Sequence, residues 1–194
     1  MAYRTGTERL EARRVRLERH AAETDPDVVL NAAARFLEMR SRSVDEVRRH
    51  LTTAAYPDEL IRRAIDRLLE LGMLDDRAFA QAWVESRDRA RPRGQVALRR
   101  ELALKGIDRE TAAAVLSERS ESAMAEDSES GGVGADQAAA ERLLAKNRAA
   151  LLRVPELRAR RMRAYSLLAR NGFDPEVCRE VSARSVAQEL DLDD

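Results

Sequence analysis

The amino-acid sequence predicts an all-α protein, organised as an elongated array of three tandem three-helix repeats of the helix-turn-helix type. Apolar residues recur at helical spacing from Pro26 to Leu116 and almost nowhere alternate with a period of two. Helix start and stop signals divide this stretch into two triplets of helices, and a third triplet follows an acidic segment. Because short three-helix units bury little surface alone, we expect neighbouring units to complete one another's cores.

The segment before the first triplet, residues 1–25, mixes Arg and Glu with few apolar anchors. Such a composition supports helix formation but gives the helix little to pack against. We therefore expect a charged N-terminal arm that is flexible or forms a frayed helix.

The first repeat covers residues 26–72, and each of its three helices carries a recognisable end signal. These signals are Asp25 with Pro26 at the first helix, the capping-box pair Ser43 and Glu46 at the second, and Pro57 with Gly72 at the two ends of the third. They predict where the chain enters and leaves each helix.

The second repeat, residues 73–119, opens with a helix that carries Phe79 and Trp83 four residues apart. This spacing could present two rings to exposed bases, but it is more typical of a helix that fills a core, and we interpret both as core residues. The adjacent Asp75 and Asp76 precede the helix, where carboxylates meet unpaired N–H groups. We interpret them as helix caps rather than as cation ligands.

Beyond the second repeat, residues 120–136 are rich in Ser, Gly and acidic residues and are predicted to form a linker. A linker of this kind would allow the third repeat, residues 137–185, to hinge. Residues 186–194 are predicted to be an acidic tail.

An internal alignment supports the repeat. Placing LALKGIDRETAAAV over LARNGFDPEVCREV without gaps superimposes Leu102 on Leu168 and Gly106 on Gly172. A weaker alignment places Arg48 and Arg49 on Arg99 and Arg100. The alternative is a single compact helical domain with accidental similarity.

The charge balance, the single cysteine and the motif content limit the kinds of site that the sequence predicts. The chain has 35 basic and 35 acidic side chains, so any attraction to an anionic partner must come from the distribution of charge. Cys178 is the single thiol and sits on an apolar face, which indicates a reducing compartment and a buried, inert role. The sequence contains no metal-binding, phosphate-loop or nucleophile motif, so we expect no catalytic residues, no metal and no cofactor.

Arginines concentrate around the middle of the chain, in the stretch RDRARPRGQVALRREL, and the repeat extends the pattern to an earlier pair. Guanidinium groups suit both phosphates and carboxylates through paired hydrogen bonds. The candidate binding residues are Arg48, Arg49, Arg87, Arg89, Arg91, Arg93, Arg99 and Arg100. Arg158, Arg160, Arg161 and Arg163 repeat the theme in the third repeat, but the aligned arginine pair there becomes Tyr165 and Ser166.

Three segments give the chain a family resemblance that covers roughly residues 26–184. They are AARFLEMRSRSVDEVRRHL, LLELGMLDDRAFAQAWVESRDRARPRGQVALRRELALKGID and RAYSLLARNGFDPEVCREV. Through them the chain resembles the RecX family, bacterial regulators of the RecA recombinase.

The resemblance implies a cytoplasmic, monomeric protein of three three-helix repeats that lodges in the groove of a RecA–DNA filament. It implies restraint of filament growth, strand exchange, ATP hydrolysis and coprotease activity, and thus a part in DNA repair, recombination and the SOS response. The family's basic surface maps onto the eight candidate arginines, with DNA phosphates as a further partner and no membrane. A stand-alone helix-turn-helix protein that binds DNA is the alternative that the residues leave open.

Overall fold

The computed structural model describes residues 6–126 and 134–190, and within these ranges it is all-helical, which confirms the predicted fold class. The described helices are α1 (Gly6–Ala21), α2 (Pro26–Glu38), α3 (Val44–Thr53), α4 (Asp58–Glu70), α5 (Asp76–Ala90), α6 (Gln95–Leu104), α7 (Arg109–Glu126), α8 (Ala135–Leu152), α9 (Leu157–Arg170) and α10 (Pro175–Leu190). The three repeats therefore correspond to α2–α4, α5–α7 and α8–α10.

The predicted caps of the first repeat are confirmed. The Asp25 carboxylate accepts a hydrogen bond from the N–H of Asp27 at the start of α2. Ser43 and Glu46 form the reciprocal capping box at the start of α3. Both contacts satisfy backbone donors that a helix start leaves open.

All three repeats use the same turn after their second helix. Ala55, Gly106 and Gly172 have φ values of 65°, 79° and 78°. In each repeat the following N–H donates to the carbonyl of a buried leucine, as in Tyr56 to Leu51 at 3.2 Å, Ile107 to Leu102 at 3.1 Å and Phe173 to Leu168 at 3.4 Å. This is the Schellman arrangement that closes a helix through a left-handed residue.

The chain divides into two compact units, and the first consists of residues 1–79. Its core lies where α2, α3 and α4 meet, and the side chains at its centre are aliphatic. The fully buried members from these helices are Val29, Ala33, Val47, Leu51, Leu60, Ile61, Ala64, Ile65 and Leu68.

The second unit, residues 80–194, holds the rest of repeat two together with repeat three. Leu98 and Leu102 of α6 are completely buried, and Val115 and Leu116 of α7 are also buried. The core of repeat three contains Ala139, Ala140, Leu144, Leu151, Ala164, Leu168, Phe173, Cys178 and Val181.

Repeats two and three meet at a close contact between two glycine-containing turns. The N–H of Gly94, before α6, donates to the carbonyl of Asn171, after α9, at 3.1 Å. A Cβ added at Gly94 would overlap the carbonyl of Gly172, and a Cβ at Gly172 would overlap Ala97 of α6. The absence of side chains at both positions lets the two backbones touch.

The same two repeats are joined by buried charges. The Arg119 guanidinium on α7 is 7% exposed and binds Asp88 of α5 and Asp136 of α8 at 2.8 and 2.7 Å. Lys146 of α8 donates to the carbonyl oxygens of Arg89 and Ala90, at the C-terminus of α5, at 2.9 and 3.0 Å. These contacts join repeat three to repeat two in this structure, and hinging of repeat three stays a prediction.

The linker is shorter than predicted. Helix α7 continues to Glu126 and α8 begins at Ala135, so both ends of the predicted linker 120–136 are helical. Ser and Glu residues need no core when a helix extends into solvent, and Asp136 takes part in the contact with Arg119. Residues 127–133 lie outside the described residues.

One carboxylate contact recurs between consecutive repeats. Asp76, in the first turn of α5, accepts from the N–H of Val44 at the start of α3, at 2.9 Å. Asp136, in the first turn of α8, accepts from the N–H of Gln95 at the start of α6, also at 2.9 Å. Each caps the second helix of the preceding repeat, whereas Asp75 caps its own helix through the N–H of Ala78.

Helix is present at residues 6–21 of the predicted N-terminal arm, where a helix was one of the two expected forms, and at residues 186–190 of the predicted tail. Helix α1 buries none of its residues. Helix α10 runs to Leu190, into the predicted acidic tail 186–194. Residues 1–5 and 191–194 lie outside the described residues.

Candidate basic surface of the second repeat

The outer face of α6 carries an adjacent pair of exposed candidate arginines in the second repeat. Leu98 and Leu102 point into the core, which turns Arg99 and Arg100 to solvent. On the same face Val96 is 58% exposed and Leu104 is 69% exposed. This surface, which we name the α6 face, therefore combines two guanidinium groups with two exposed aliphatic side chains.

Two other candidates, Arg87 and Arg93, are turned inward toward Glu101. The Arg87 Nε lies 2.6 Å from the Glu101 carboxylate, and the Arg93 Nε lies 3.6 Å from it. Arg93 also donates through Nη1 to the side-chain oxygen of Asn171 at 2.6 Å. Since each makes its contacts within the molecule, these two arginines support the junction of α5 and α6.

Trp83 belongs to the same cluster and is only half-buried, so the prediction that it is a core residue holds for Phe79 alone. Its indole N–H donates to Glu101 at 2.9 Å. Arg87 and Lys105 lie over its ring at 4.4 and 4.6 Å from the centroid. Two cations on the aromatic ring explain why the indole is kept near the surface.

Arg89 and Arg91 lie at the end of α5 and directly after it, and both are exposed. Pro92 and Gly94 are buried beside them, because the chain there turns against repeat three. The structure thus separates the cluster around RDRARPRGQVALRREL into exposed and inward-facing members. The exposed members are Arg89, Arg91, Arg99 and Arg100.

Arg48 and Arg49 lie on α3, in the first unit, at the positions that align with the pair on α6. Both are exposed, and the Arg49 guanidinium pairs with Asp45 at 2.9 Å on its own helix. An exposed pair of this kind costs little to open. That the two arginine pairs form one continuous stripe stays a prediction.

The third repeat presents a different surface at the aligned positions. Tyr165 and Ser166 are half-buried. Arg158, Arg161 and Arg163 of α9 are exposed, while the Arg160 Nε donates to the Val154 carbonyl at 3.0 Å.

Sequence reasoning missed the residues that hold this region together, namely Glu101, Arg119, Asp136, Lys146 and Asn171. Arg119 lies in a cleft of about 1010 Å³ between α5, α7 and α8. Burial lowers the pKa of its guanidinium, but hydrogen bonds to Asp88 and Asp136 outweigh that effect and raise it. Both partners are distant in sequence, so no local pattern announces the contact.

The described residues contain neither a metal-binding cluster nor an exposed thiol. No group of three His, Cys, Asp or Glu side chains in these ranges could hold a metal ion. Cys178 is fully buried, and burial followed by the nearby Asp174 raises the pKa of its thiol, which favours the unreactive protonated form. Within the same ranges, no helix combines the length and apolar character that crossing a membrane requires.

Comparison with known proteins gives consistent matches. The family model described as RecX, first three-helix domain, matches residues 30–68, and the model described as RecX, second three-helix domain, matches residues 75–116. A protein named Regulatory protein RecX from Chlorobium phaeobacteroides is 31% identical over 163 residues, which is 82% of this chain and 94% of that protein. One of the same name from Mycolicibacterium smegmatis is 40% identical over 88 residues, or 45% of this chain and 47% of that protein.

The fold has a solved counterpart. The crystal structure of RecX from Lactobacillus salivarius superimposes with a TM-score of 0.66 at 21% identity, covering 86% of this chain and 97% of that one.

Proposed function

Since the chain belongs to the RecX family of regulatory proteins, we propose that it binds in the groove of the filament that the RecA recombinase forms on DNA. In this proposal the bound protein restrains filament growth and so lowers strand exchange, ATP hydrolysis and coprotease activity in DNA repair and the SOS response. It acts as a cytoplasmic monomer through binding, without a cofactor or catalytic residues.

The observation that carries the proposal at the level of residues is the α6 face. Arg99 and Arg100 are exposed and flanked by the exposed Val96 and Leu104. Exposed aliphatic groups beside arginine are typical of surfaces that contact another protein, whereas a phosphate backbone alone would be met by cations without them. In a groove lined by both protein and DNA, the aliphatic side chains of the α6 face can contact protein, and its guanidinium groups can contact carboxylates or phosphates.

The eight candidate arginines have different parts in this proposal. Arg89, Arg91, Arg99 and Arg100 are proposed to contact filament carboxylates or phosphates, and Arg48 with Arg49 to extend that surface. Arg87 and Arg93 stabilise this surface through contacts within the protein, Arg87 with Glu101 and Arg93 with Asn171.

A stand-alone helix-turn-helix reader of DNA sequence is disfavoured by the start of α6. Such a reader places the N-terminal residues of its second helix against base edges in the major groove. Here the first N–H of α6, that of Gln95, is bound by the Asp136 carboxylate. The start of α8, which carries Asp136, therefore contacts the end of α6 that a reader of this kind would have to present to the bases.

The first test is whether the purified full chain slows DNA-dependent ATP hydrolysis by RecA. We expect inhibition at substoichiometric ratios, because one bound regulator interrupts a filament of many subunits. Absence of inhibition at equimolar protein contradicts the proposal, and tight binding of a specific duplex sequence at physiological salt favours the alternative.

The second test reverses the charges on the α6 face. The variant Arg99→Glu with Arg100→Glu is expected to need at least about tenfold more protein for the same inhibition, since each close charge pair contributes on the order of 1 to 2 kcal/mol. The matched control reverses Arg62 and Arg63, an adjacent exposed pair on α4. Equal loss in both variants would show a general charge effect and would remove the α6 face from the interface.

A further inference from the structure

Helix α1 carries its charges in two separate groups on opposite sides. Arg9, Arg13 and Arg16 follow one another at intervals of four and three residues, so they fall within about 60° around the helix axis and are spaced about 6 and 4.5 Å along it. All three side chains are exposed. We name this row the α1 stripe.

Two of the three acidic residues of α1 lie away from the stripe. Glu11 and Glu18 lie on the opposite side, where both pair with Arg14, at 3.2 and 3.6 Å. Within the described part of the chain, the three arginines of the stripe make no ion pair or hydrogen bond. Arg14 is thus neutralised within the helix, while the three arginines of the stripe are left to solvent.

The spacing of the stripe is unfavourable for an isolated helix. Like charges at i, i+3 and i, i+4 repel, which costs a few tenths of a kcal/mol for each pair. No carboxylate occupies the i±3 or i±4 positions of Arg13, where Arg9, Leu10, Arg16 and Leu17 stand. A bound polyanion would remove this repulsion and add attraction.

The C-terminal end of α1 is attached to the turn of the first repeat. His20 lies on the same side of the helix as the stripe, and its Nδ1 is 2.9 Å from the carbonyl oxygen of Ala54. Its ring stacks on Tyr56 with centroids 4.2 Å apart. The stripe therefore begins one turn from a fixed point and continues along a helix that buries nothing.

From these observations we propose that the α1 stripe binds the phosphodiester backbone of nucleic acid, independently of base sequence. Three guanidinium groups in a row match a chain of phosphates, each able to accept paired hydrogen bonds. A membrane surface fits less well, because Leu10 and Val15 are the large apolar side chains that α1 exposes, too few for insertion. The binding goes beyond the proposed regulation of the filament, since bare nucleic acid suffices for it.

The test measures binding of the full chain to labelled oligothymidine and to a duplex of equal length over a series of salt concentrations. The variant Arg9→Gln, Arg13→Gln, Arg16→Gln is compared with Arg14→Gln, Arg62→Gln, Arg67→Gln, which removes three exposed arginines that are already paired with carboxylates in the same unit. Circular dichroism establishes that both variants keep their helices.

We expect the stripe variant to reduce the slope of log affinity against log salt by about 2 on the single strand and about 3 on the duplex. The control should change neither slope. Unchanged slopes in the stripe variant overturn the proposal, as does a variant that binds DNA normally but no longer binds assembled RecA filament. Inhibition of RecA ATP hydrolysis is measured separately with the same variants. This second measurement distinguishes failure of the nucleic-acid proposal from failure of the proposed regulation of the filament.

Discussion

At the scale of single residues, Ala55 is the alanine that stands where the other two repeats have glycine. Its φ of 65° places it in the left-handed region, where a Cβ crowds the following carbonyl and costs roughly 1 to 2 kcal/mol. We predict that Ala55→Gly raises the free energy of unfolding of the first unit by about 0.5 to 1 kcal/mol, the relief being partly offset by the greater freedom of glycine in the unfolded chain. Denaturant unfolding followed by circular dichroism measures the difference.

The neighbouring Ala54 provides the matched control. It is half-buried like Ala55, but its φ is −80°, an ordinary right-handed value. Ala54→Gly should lower stability by up to about 1 kcal/mol, because glycine gains no relief there and adds unfolded-state entropy. Equal effects of the two substitutions would contradict the assignment of strain to the turn.

Single-residue features of this type were largely accessible from the sequence. The caps at Asp25 and Ser43 and the closing glycines Gly72 and Gly106 depend on groups within four residues, so a short pattern contains the whole interaction. The environment of Trp83 could not be predicted in the same way. Its environment is set by Glu101, Arg87 and Lys105, and the spacing of Phe79 and Trp83 alone could not distinguish a core ring from one held between cations.

At the scale of elements, the contact between the turns before α6 and after α9 decides how repeat three sits on repeat two. We predict that Gly94→Ala lowers the free energy of unfolding of the second unit by about 3 kcal/mol, because the added Cβ meets backbone atoms of Gly172 and Phe173 that cannot rotate away. Thermal unfolding followed by Trp83 fluorescence reports the loss.

Gly134, the N-cap of α8, is the control glycine. A Cβ at this position has no atom within 4 Å and its φ is −58°, so alanine fits without strain. Gly134→Ala should change stability by no more than about 1 kcal/mol, the usual range when a glycine cap is lost. Similar losses at both glycines would mean that close approach is not what Gly94 provides.

The arrangement of elements shows where prediction from sequence stops. Helical periodicity and the internal alignment identified the triplets, because both are properties of local sequence. The helix bounds differ from the predicted linker, and the contacts that join the two repeats connect residues distant in sequence, such as Lys146 with Arg89 and Gly94 with Asn171. The composition of an acidic, Ser-rich segment indicates which local conformation its residues favour, but it does not indicate which distant helix the segment contacts.

The same reasoning applies to the candidate site. The arginines were found as a cluster in sequence, but exposure separates Arg99 and Arg100 from Arg87 and Arg93. That separation depends on Glu101 and Asn171, of which the second lies 78 residues from Arg93. A basic stretch therefore predicts that a surface exists, while the fold decides which of its members can reach a partner.

At the scale of the whole molecule, repeats two and three should behave as one cooperative unit. They share a backbone hydrogen bond, a buried ion network and a lysine that caps the end of α5. In a repeat array, interfaces of this strength couple the unfolding of neighbours. The single Trp of the chain, Trp83, lies in repeat two and can report on damage made in repeat three.

We predict that Leu168→Ala, in the core of repeat three, lowers the denaturant midpoint reported by Trp83 in repeat two. Leu168 is completely buried, so its truncation leaves a cavity and costs about 3 kcal/mol. Because the junction ties both repeats together, the fluorescence and circular dichroism curves of the second unit should shift together. Leu152→Ala, at an exposed leucine of the same repeat, should change the free energy of unfolding by less than about 0.5 kcal/mol. If Leu168→Ala leaves the Trp83 curve in place while helix is lost at lower denaturant, the two repeats unfold separately and the junction does not couple them.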